Sequence, residues 1–253
     1  MTERSFYGYL VVSWLALAAI TFVALLFIPA PYGRFTRRGW GPRFNPRLGW
    51  VLMELPAALC FLVLYLTGNH RGQPASVVLL AFWMAHYVHR SLIYPFTTRG
   101  NRRQTTLVTV LLGMLFNVGN AYLNARWLFT LGPSYAASWL VDPRFLGGAA
   151  LFWLGFALNK QSDAVLIHLR SPGETGYKIP YGGAYRYVSC PNYLGEVVQW
   201  GGWALACWSL GGLAFFVWTV ANLAPRALST HHWYQSTFPD YPDDRKALVP
   251  FLV

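Results

Sequence analysis

Between Phe6 and Leu223 the chain returns seven times to apolar runs, most of them close to the ~20 residues a helix needs to cross a bilayer. A soluble domain has no place to bury so many. The runs read as helices over Phe6–Ile28, Leu48–Leu66, Ser76–Phe96, Thr105–Leu128, Phe145 onward to Leu169, Tyr193–Trp208 and the short Gly211–Leu223. The expected fold class is therefore all-α: one polytopic membrane domain over residues 1–253, with seven transmembrane helices. The first run is too long for a signal-peptide core and has no small-residue cleavage site after it, so it reads as a retained helix.

A chain that is 55% hydrophobic and 11% charged agrees with this reading. Its net charge of +11 does not point to nucleic acid, because the basic residues fill the gaps between apolar runs and no nucleic-acid module is visible. Arg34, Arg37, Arg38, Arg43 and Arg47 follow the first helix, and Arg99, Arg102 and Arg103 follow the third. With seven spans, 16 of the 20 Lys and Arg residues fall on one side. The positive-inside rule then puts the N-terminus outside and the C-terminus in the cytoplasm. Cys60, Cys190 and Cys207 lie within or beside apolar runs without CxxC spacing and read as reduced, structural thiols.

Against this background the stretch Asn159–Trp200 stands out as polar and rich in Gly, Pro and Tyr. Irregular backbone near a bilayer survives only where protein or a water-filled cavity surrounds it, and ionisable groups there are functional candidates. Asn159, Ser162, Asp163 and Arg170 fall at helical offsets 0, +3, +4 and +11 and so share one face. A carboxylate and amides suit ribose or amide groups, and guanidinium and hydroxyl groups suit phosphate, so this wall fits a dinucleotide on the cytoplasmic side. The GxGxxG fingerprint is absent, and no strands frame a parallel sheet, which excludes a Rossmann site. A solvated helix extension with a structured loop is the plainer alternative. Asn192 and Glu196 come one turn apart at the start of the sixth helix, where backbone N–H groups are unpaired. Arg226, His231, His232 and Tyr234 follow the last span, as ligand contacts or as part of an amphipathic interfacial helix.

Two further groups lie inside apolar runs. Glu54, about a turn into the second helix, is either a salt-bridged helix-end carboxylate or a carboxyl in a substrate cavity, able when protonated to donate a hydrogen bond. On the third helix His86, Tyr87, His89, Arg90 and Tyr94 carry polar groups on several faces. Tyr87 reads as a donor into the cavity, and Arg90 as an interfacial anchor or a phosphate contact. HxxH at His86 and His89 with His231–His232 is similar to membrane di-iron hydroxylases, but those use more histidines than the six here, and no metal is assigned.

Taken together, PYGR, LGWVLMELP, HYVHRSLIYPFTTRG, the whole Asn159–Trp200 stretch and the closing HHWYQSTFPDYPDDRKALVPFLV resemble the steroid 5α-reductase family over almost the entire chain. The compactness suggests a bacterial member, placed in the inner membrane, or the endoplasmic reticulum if eukaryotic. The resemblance implies NADPH as cofactor and reduction of the 4,5 double bond of a 3-oxo-Δ4-steroid. Residues 1–129 would form the substrate side and 145–253 the NADPH-binding half, in a monomer whose partners are the steroid-like substrate and the bilayer. It implies that Glu54 and Tyr87 hold the 3-ketone, with the proton donor to C4 unassigned. Asn159, Ser162, Asp163, Arg170, Tyr177, Lys178, Asn192, Glu196, Arg226 and Tyr234 match family NADPH positions. Met53 stands where relatives can carry Gln, and Lys178 and Thr230 where they can carry Arg and His, with His231 as a substitute. Competing readings are a reductase of another enone or enoyl lipid, a membrane methyltransferase of the isoprenylcysteine type, and an ion path through Glu54, Asp163 and Glu196. The last lacks inverted repeats and midplane helix breaks.

Overall fold

A computed structural model describes residues 1–30, 35, 41–97, 105–171, 174 and 176–252, with the side chain of Phe44 excepted. Arg34, Arg37, Arg38, Arg99, Arg102 and Arg103 lie outside the described residues.

Four of the helices announce themselves by a capping side chain, and four by a proline in the first turn. In α1 (Glu3–Phe27) the Thr2 hydroxyl accepts from the Ser5 amide. In α2 (Pro46–Leu66) Asn45 Oδ1 accepts from the amides of Arg47 and Leu48. Helix α3 (Pro74–Val88) passes through a π turn, His89–Ile93, into the short α4 (Tyr94–Thr97). Helix α5 (Leu107–Arg126) also ends in a π turn, Trp127–Leu131. Asp142 caps α6 (Pro143–His168), Pro191 opens α7 (Pro191–Cys207), and Ser209 caps α8 (Leu210–Thr237).

Four stretches, Glu3–Phe27, Pro46–Leu66, Pro74–Thr97 and Leu107–Leu131, are long and apolar enough to cross a membrane. The remaining helices α6, α7 and α8 carry more polar residues. The last expected span is only the first half of a helix: α8 runs from Leu210 through Pro225 to Thr237. Proline removes one amide from the ladder, and the buried face that continues past it (Ala227, Thr230, Tyr234) keeps the helix packed. The connection between α5 and α6 holds a 3-10 turn at Ala137–Val141. The all-α expectation needs one small amendment. β1 (Arg43–Phe44) and β2 (Thr105–Thr106) form a two-residue antiparallel pair, with Arg43 opposite Thr106.

The core is aromatic. Phe61 stacks on Trp83 at 4.3 Å, and Trp83 meets Trp200 and Trp203 of α7. Helices α6 and α7 approach until backbone touches backbone, through Gly148 and Gly155 on one and Gly195 and Gly202 on the other. Small residues permit that approach. It brings the polar ends of both helices, Asn159–Asp163 and Asn192–Glu196, face to face.

Candidate active site

Helix α2 supplies Glu54, α3 supplies Tyr87, and α5 holds the residue between them. The Tyr87 hydroxyl donates to Asn117 Oδ1 at 3.4 Å. Asn117 Nδ2 donates to the Met53 carbonyl at 2.7 Å and reaches Glu54 Oε2 at 3.4 Å. Tyr87 and Asn117 are buried, and Glu54 is half-buried.

A second cluster adjoins the first. Arg90, in the π turn after α3, contacts Asp163 Oδ2 at 3.4 Å and Glu196 Oε1 at 3.3 Å. Its guanidinium lies over the rings of Trp50 and Tyr94, and Trp50 Nε1 donates to the Arg90 carbonyl. Asn159 Nδ2 donates to the Asn192 carbonyl at 3.0 Å and to Glu196 Oε1 at 3.4 Å. Asn192 Nδ2 in turn donates to Asp163 Oδ1 at 3.4 Å. Glu54 lies within charge–charge range of both Arg90 and Glu196, so the two clusters form one electrostatic unit. Arg90 is thus paired with both carboxylates, where its sequence position had suggested an interfacial anchor or a phosphate contact.

Of the remaining expected contacts, Tyr177, Asn192, Arg226 and Tyr234 line one cavity of about 190 Å³ between α6, α7 and α8. Arg226 sits over the Tyr193 ring and donates to its hydroxyl at 3.4 Å. Ser162 turns its hydroxyl back to the Leu158 carbonyl at 2.7 Å, and its own carbonyl accepts from Tyr185 in the cavity wall. Three residues stand apart from this wall. Arg170 lies over the Tyr177 ring at 5.7 Å. Exposed Lys178 pairs with Glu174 at 2.7 Å and holds that carboxyl below the usual carboxylate range. His231 is engaged through Nδ1 by Ser189 Oγ at 2.7 Å, and Ser189 also bonds the Tyr241 hydroxyl at 2.6 Å. Burial, then the nearby cations, lowers the His231 imidazole below its ordinary pKa, so its neutral form predominates at pH 7.

His86 Nδ1 meets Gln199 Oε1 at 3.1 Å, and His89 Nε2 meets Lys160 Nζ. Among the described residues no three His, Cys, Asp or Glu side chains gather as metal ligands.

Asn117 was not singled out in the sequence, although a signal was there. Asn117, Asn120 and Asn124 recur at i, i+3 and i+7 along an otherwise apolar helix, and all three are buried. An amide stripe on a membrane helix is costly unless it is hydrogen-bonded.

Comparison with known proteins places the sequence in a family. A sequence model of the 3-oxo-5-alpha-steroid 4-dehydrogenase family matches residues 103–253. The steroid 5-alpha-reductase DET2 of Gossypium hirsutum is 40% identical over 255 residues, covering 99% of both chains. The 3-oxo-5-alpha-steroid 4-dehydrogenase 1 of Bos taurus is 44% identical over 245 residues, 94% of this chain and 93% of that one. The human protein of the same name is 42% identical over 224 residues, 87% of this chain and 85% of its own. On these matches the chain is an oxidoreductase acting on CH–CH groups and belongs to the steroid 5-alpha-reductase family.

Proposed function

We propose that this chain uses NADPH to reduce the 4,5 double bond of 3-oxo-Δ4-steroids, with the 3-ketone held by Glu54 and Tyr87. The observation that carries the reading is that an acid and a phenol from different helices meet at one amide, beside a charged cluster joined to the α6–α8 cavity through Asn192. A ketone oxygen between the Glu54 carboxyl and the Tyr87 hydroxyl accepts hydrogen bonds that strengthen as negative charge builds on it, in the manner of an oxyanion hole. The buried helices around the pair exclude water, which strengthens those bonds further. When bound, NADPH supplies the hydride that goes to C5, while C4 gains a proton.

The residues present fit such a cofactor. Gln199, one turn beyond Glu196 and fully buried, has an Nε2 without a hydrogen-bond partner among the described residues. A buried donor of that kind marks a place for an acceptor. Asn159, Asp163, Asn192 and Glu196 would hold the polar nicotinamide and ribose groups. Tyr177, Arg226 and Tyr234 would take the part of the molecule that enters the cavity. Ser162, Arg170, Lys178 and His231 belong to the same assignment at its margins. Seven spans, an outside N-terminus and a cytoplasm-facing site complete the reading. Thiol labelling of single introduced cysteines from either face of sealed vesicles tests that topology.

The decisive experiment gives purified protein NADPH and a panel of enones (testosterone, progesterone, a polyprenal), with products resolved by mass and stereochemistry. A 5α-reduced steroid is expected, and reduction of the polyprenal alone would reject the steroid assignment. In parallel, Glu54→Gln should keep NADPH affinity and slow turnover, because the side chain meets the ketone and not the nucleotide. Unchanged turnover removes Glu54 from the mechanism.

A further inference from the structure

The amide of Asn117 touches both groups assigned to the ketone, and the three contacts differ in strength. The bond from Nδ2 to the Met53 carbonyl, 2.7 Å long, is short for N–H···O. The contacts to Glu54 Oε2 and from the Tyr87 hydroxyl, each 3.4 Å, are long. An anchor and two loose arms is the pattern of a group that positions its neighbours without saturating them. A catalytic donor must be held in place yet stay free to rebind, and hydrogen bonds at such sites are often long before substrate arrives.

The proton bookkeeping makes the role specific. One Nδ2 hydrogen goes to the Met53 carbonyl, in the residue that precedes Glu54, so the anchor fixes the start of the Glu54 side chain. The other faces Glu54 Oε2, which must then act as an acceptor. A proton carried by Glu54 is thereby steered to Oε1, the oxygen left to donate to a ketone. On the opposite side Oδ1 accepts the single phenol proton while no ketone is bound and holds the Tyr87 hydroxyl beside the same point, and the long 3.4 Å bond releases that proton to the ketone oxygen. An amide is suited to this because it offers a donor and an acceptor at once and does not titrate. Asn117 is itself buried, on α5, where buried Asn120 also neighbours the Tyr87 hydroxyl, but Asn117 is the residue with arms to both members of the pair.

We infer that Asn117 is the positioning residue of this site: it aims the Glu54 carboxyl and the Tyr87 hydroxyl at one oxygen of the substrate. The inference rests on the reductase reading and adds a residue to it.

The test compares three variants with wild type, measuring steroid turnover across pH and NADPH binding by nicotinamide fluorescence. Asn117→Leu keeps the shape and loses both hydrogen-bonding arms. Its kcat should fall about tenfold to a hundredfold, the scale of misaligned catalytic groups, with NADPH affinity unchanged. Asn117→Asp keeps the acceptor for Tyr87 but loses the donor while ionised, and regains an O–H donor when protonated. Its activity relative to wild type should therefore rise as pH falls, a response that a space-filling role would not give. This ratio decides the matter even if the leucine variant does not accumulate in the membrane. Glu54→Gln runs alongside. If wild type turns over no steroid, the reductase reading fails. If Glu54→Gln is fully active, the catalytic pair is wrong and Asn117 loses its role with it, although the reductase activity stands. If Glu54→Gln is slow while Asn117→Leu retains wild-type kcat, or Asn117→Asp follows the wild-type pH profile, the inference about Asn117 alone is overturned.

Discussion

A single methyl group placed between α6 and α7 should damage the site from a distance. A Cβ added to Gly155 would lie 2.3 Å from the Gln199 amide nitrogen, 2.5 Å from the Gly195 carbonyl oxygen and 2.7 Å from the Gln199 Cα. All three are backbone atoms, so no side chain can swing aside. Restoring ordinary contact of about 3.5 Å requires the helices to part by roughly 1 Å. Asn159 is one turn further along α6, and its 3.0 Å bond to the Asn192 carbonyl spans the same gap. A shift of roughly 1 Å breaks that bond and moves Asn159 and Asp163 away from Asn192 and Glu196. Overpacking costs typically 1–3 kcal/mol, against about 1 kcal/mol that Ala gains over Gly in a helix. Gly155→Ala should therefore be neutral to about 2 kcal/mol destabilised, while NADPH affinity drops by about tenfold or more. Gly147→Ala on the same helix is the control, since a Cβ there meets nothing within 4 Å. The assay is thermal unfolding in detergent by tryptophan fluorescence, paired with nicotinamide titration. If Gly155→Ala binds NADPH as tightly as Gly147→Ala, the backbone contact does not set the geometry of the site and the reasoning fails.

Other substitutions probe the charged cluster and its supports. Asn192→Ala should weaken NADPH binding and leave the Glu54–Tyr87 pair intact; unaltered affinity in a titration would reject the assignment. Arg90→Met leaves Asp163 and Glu196 without their cation and should cost about 3 kcal/mol, the low end for a broken buried pair because Arg90 is not wholly enclosed. Adding Asp163→Asn to Arg90→Met should recover part of the lost thermal stability. Asp142, which caps α6 and pairs with Arg144 at 2.9 Å, has its carboxyl pushed down to about 2, chiefly by the Arg144 side chain. Its folded pKa is below the unfolded value, so its contribution is present above pH ~4 and lost as pH falls toward 2. Asp142→Asn should flatten the acid limb of a stability–pH curve in that window.

Much of the fold was legible because bilayer-length runs leave few alternatives, and because Asn45, Asp142 and Ser209 mark helix starts by their chemistry. The extent of α8 was not legible. A proline normally reads as a helix end, and only tertiary packing of Ala227, Thr230 and Tyr234 carries the helix past Pro225. The small β1–β2 pair was invisible for a different reason: two residues carry no periodicity. Within the site, the clustering of Asn159, Asp163, Asn192 and Glu196 followed from helical spacing, since each pair shares a face of its own helix. What spacing could not give is which faces meet. Asn117 was therefore passed over and the carboxylates that meet Arg90 were not foreseen, these partners being 30 to 106 residues away in the chain.

Arg90 shows why such long-range partners matter. It belongs to the first half of the chain, yet both of its carboxylates belong to the second. A buried ion pair is rarely a net gain in stability, because removing the charges from water cancels most of the attraction. Its better-supported use is to fix how elements register against each other. The guanidinium lies in a π turn, where an extra residue in the helical turn changes the direction of the side chains that follow. Tyr87 lies in the regular helix just before that turn, so one helix presents its phenol to Glu54 and Asn117 and its cation to Asp163 and Glu196. A ketone bound on one side and a nucleotide on the other would then be set at a spacing decided by a single rigid segment. Straightening that segment by deleting one residue within His89–Ile93 should uncouple the two halves: NADPH binding and steroid binding each persist in separate titrations, while turnover is lost. Retained turnover after the deletion would mean that the register of the two halves is set elsewhere.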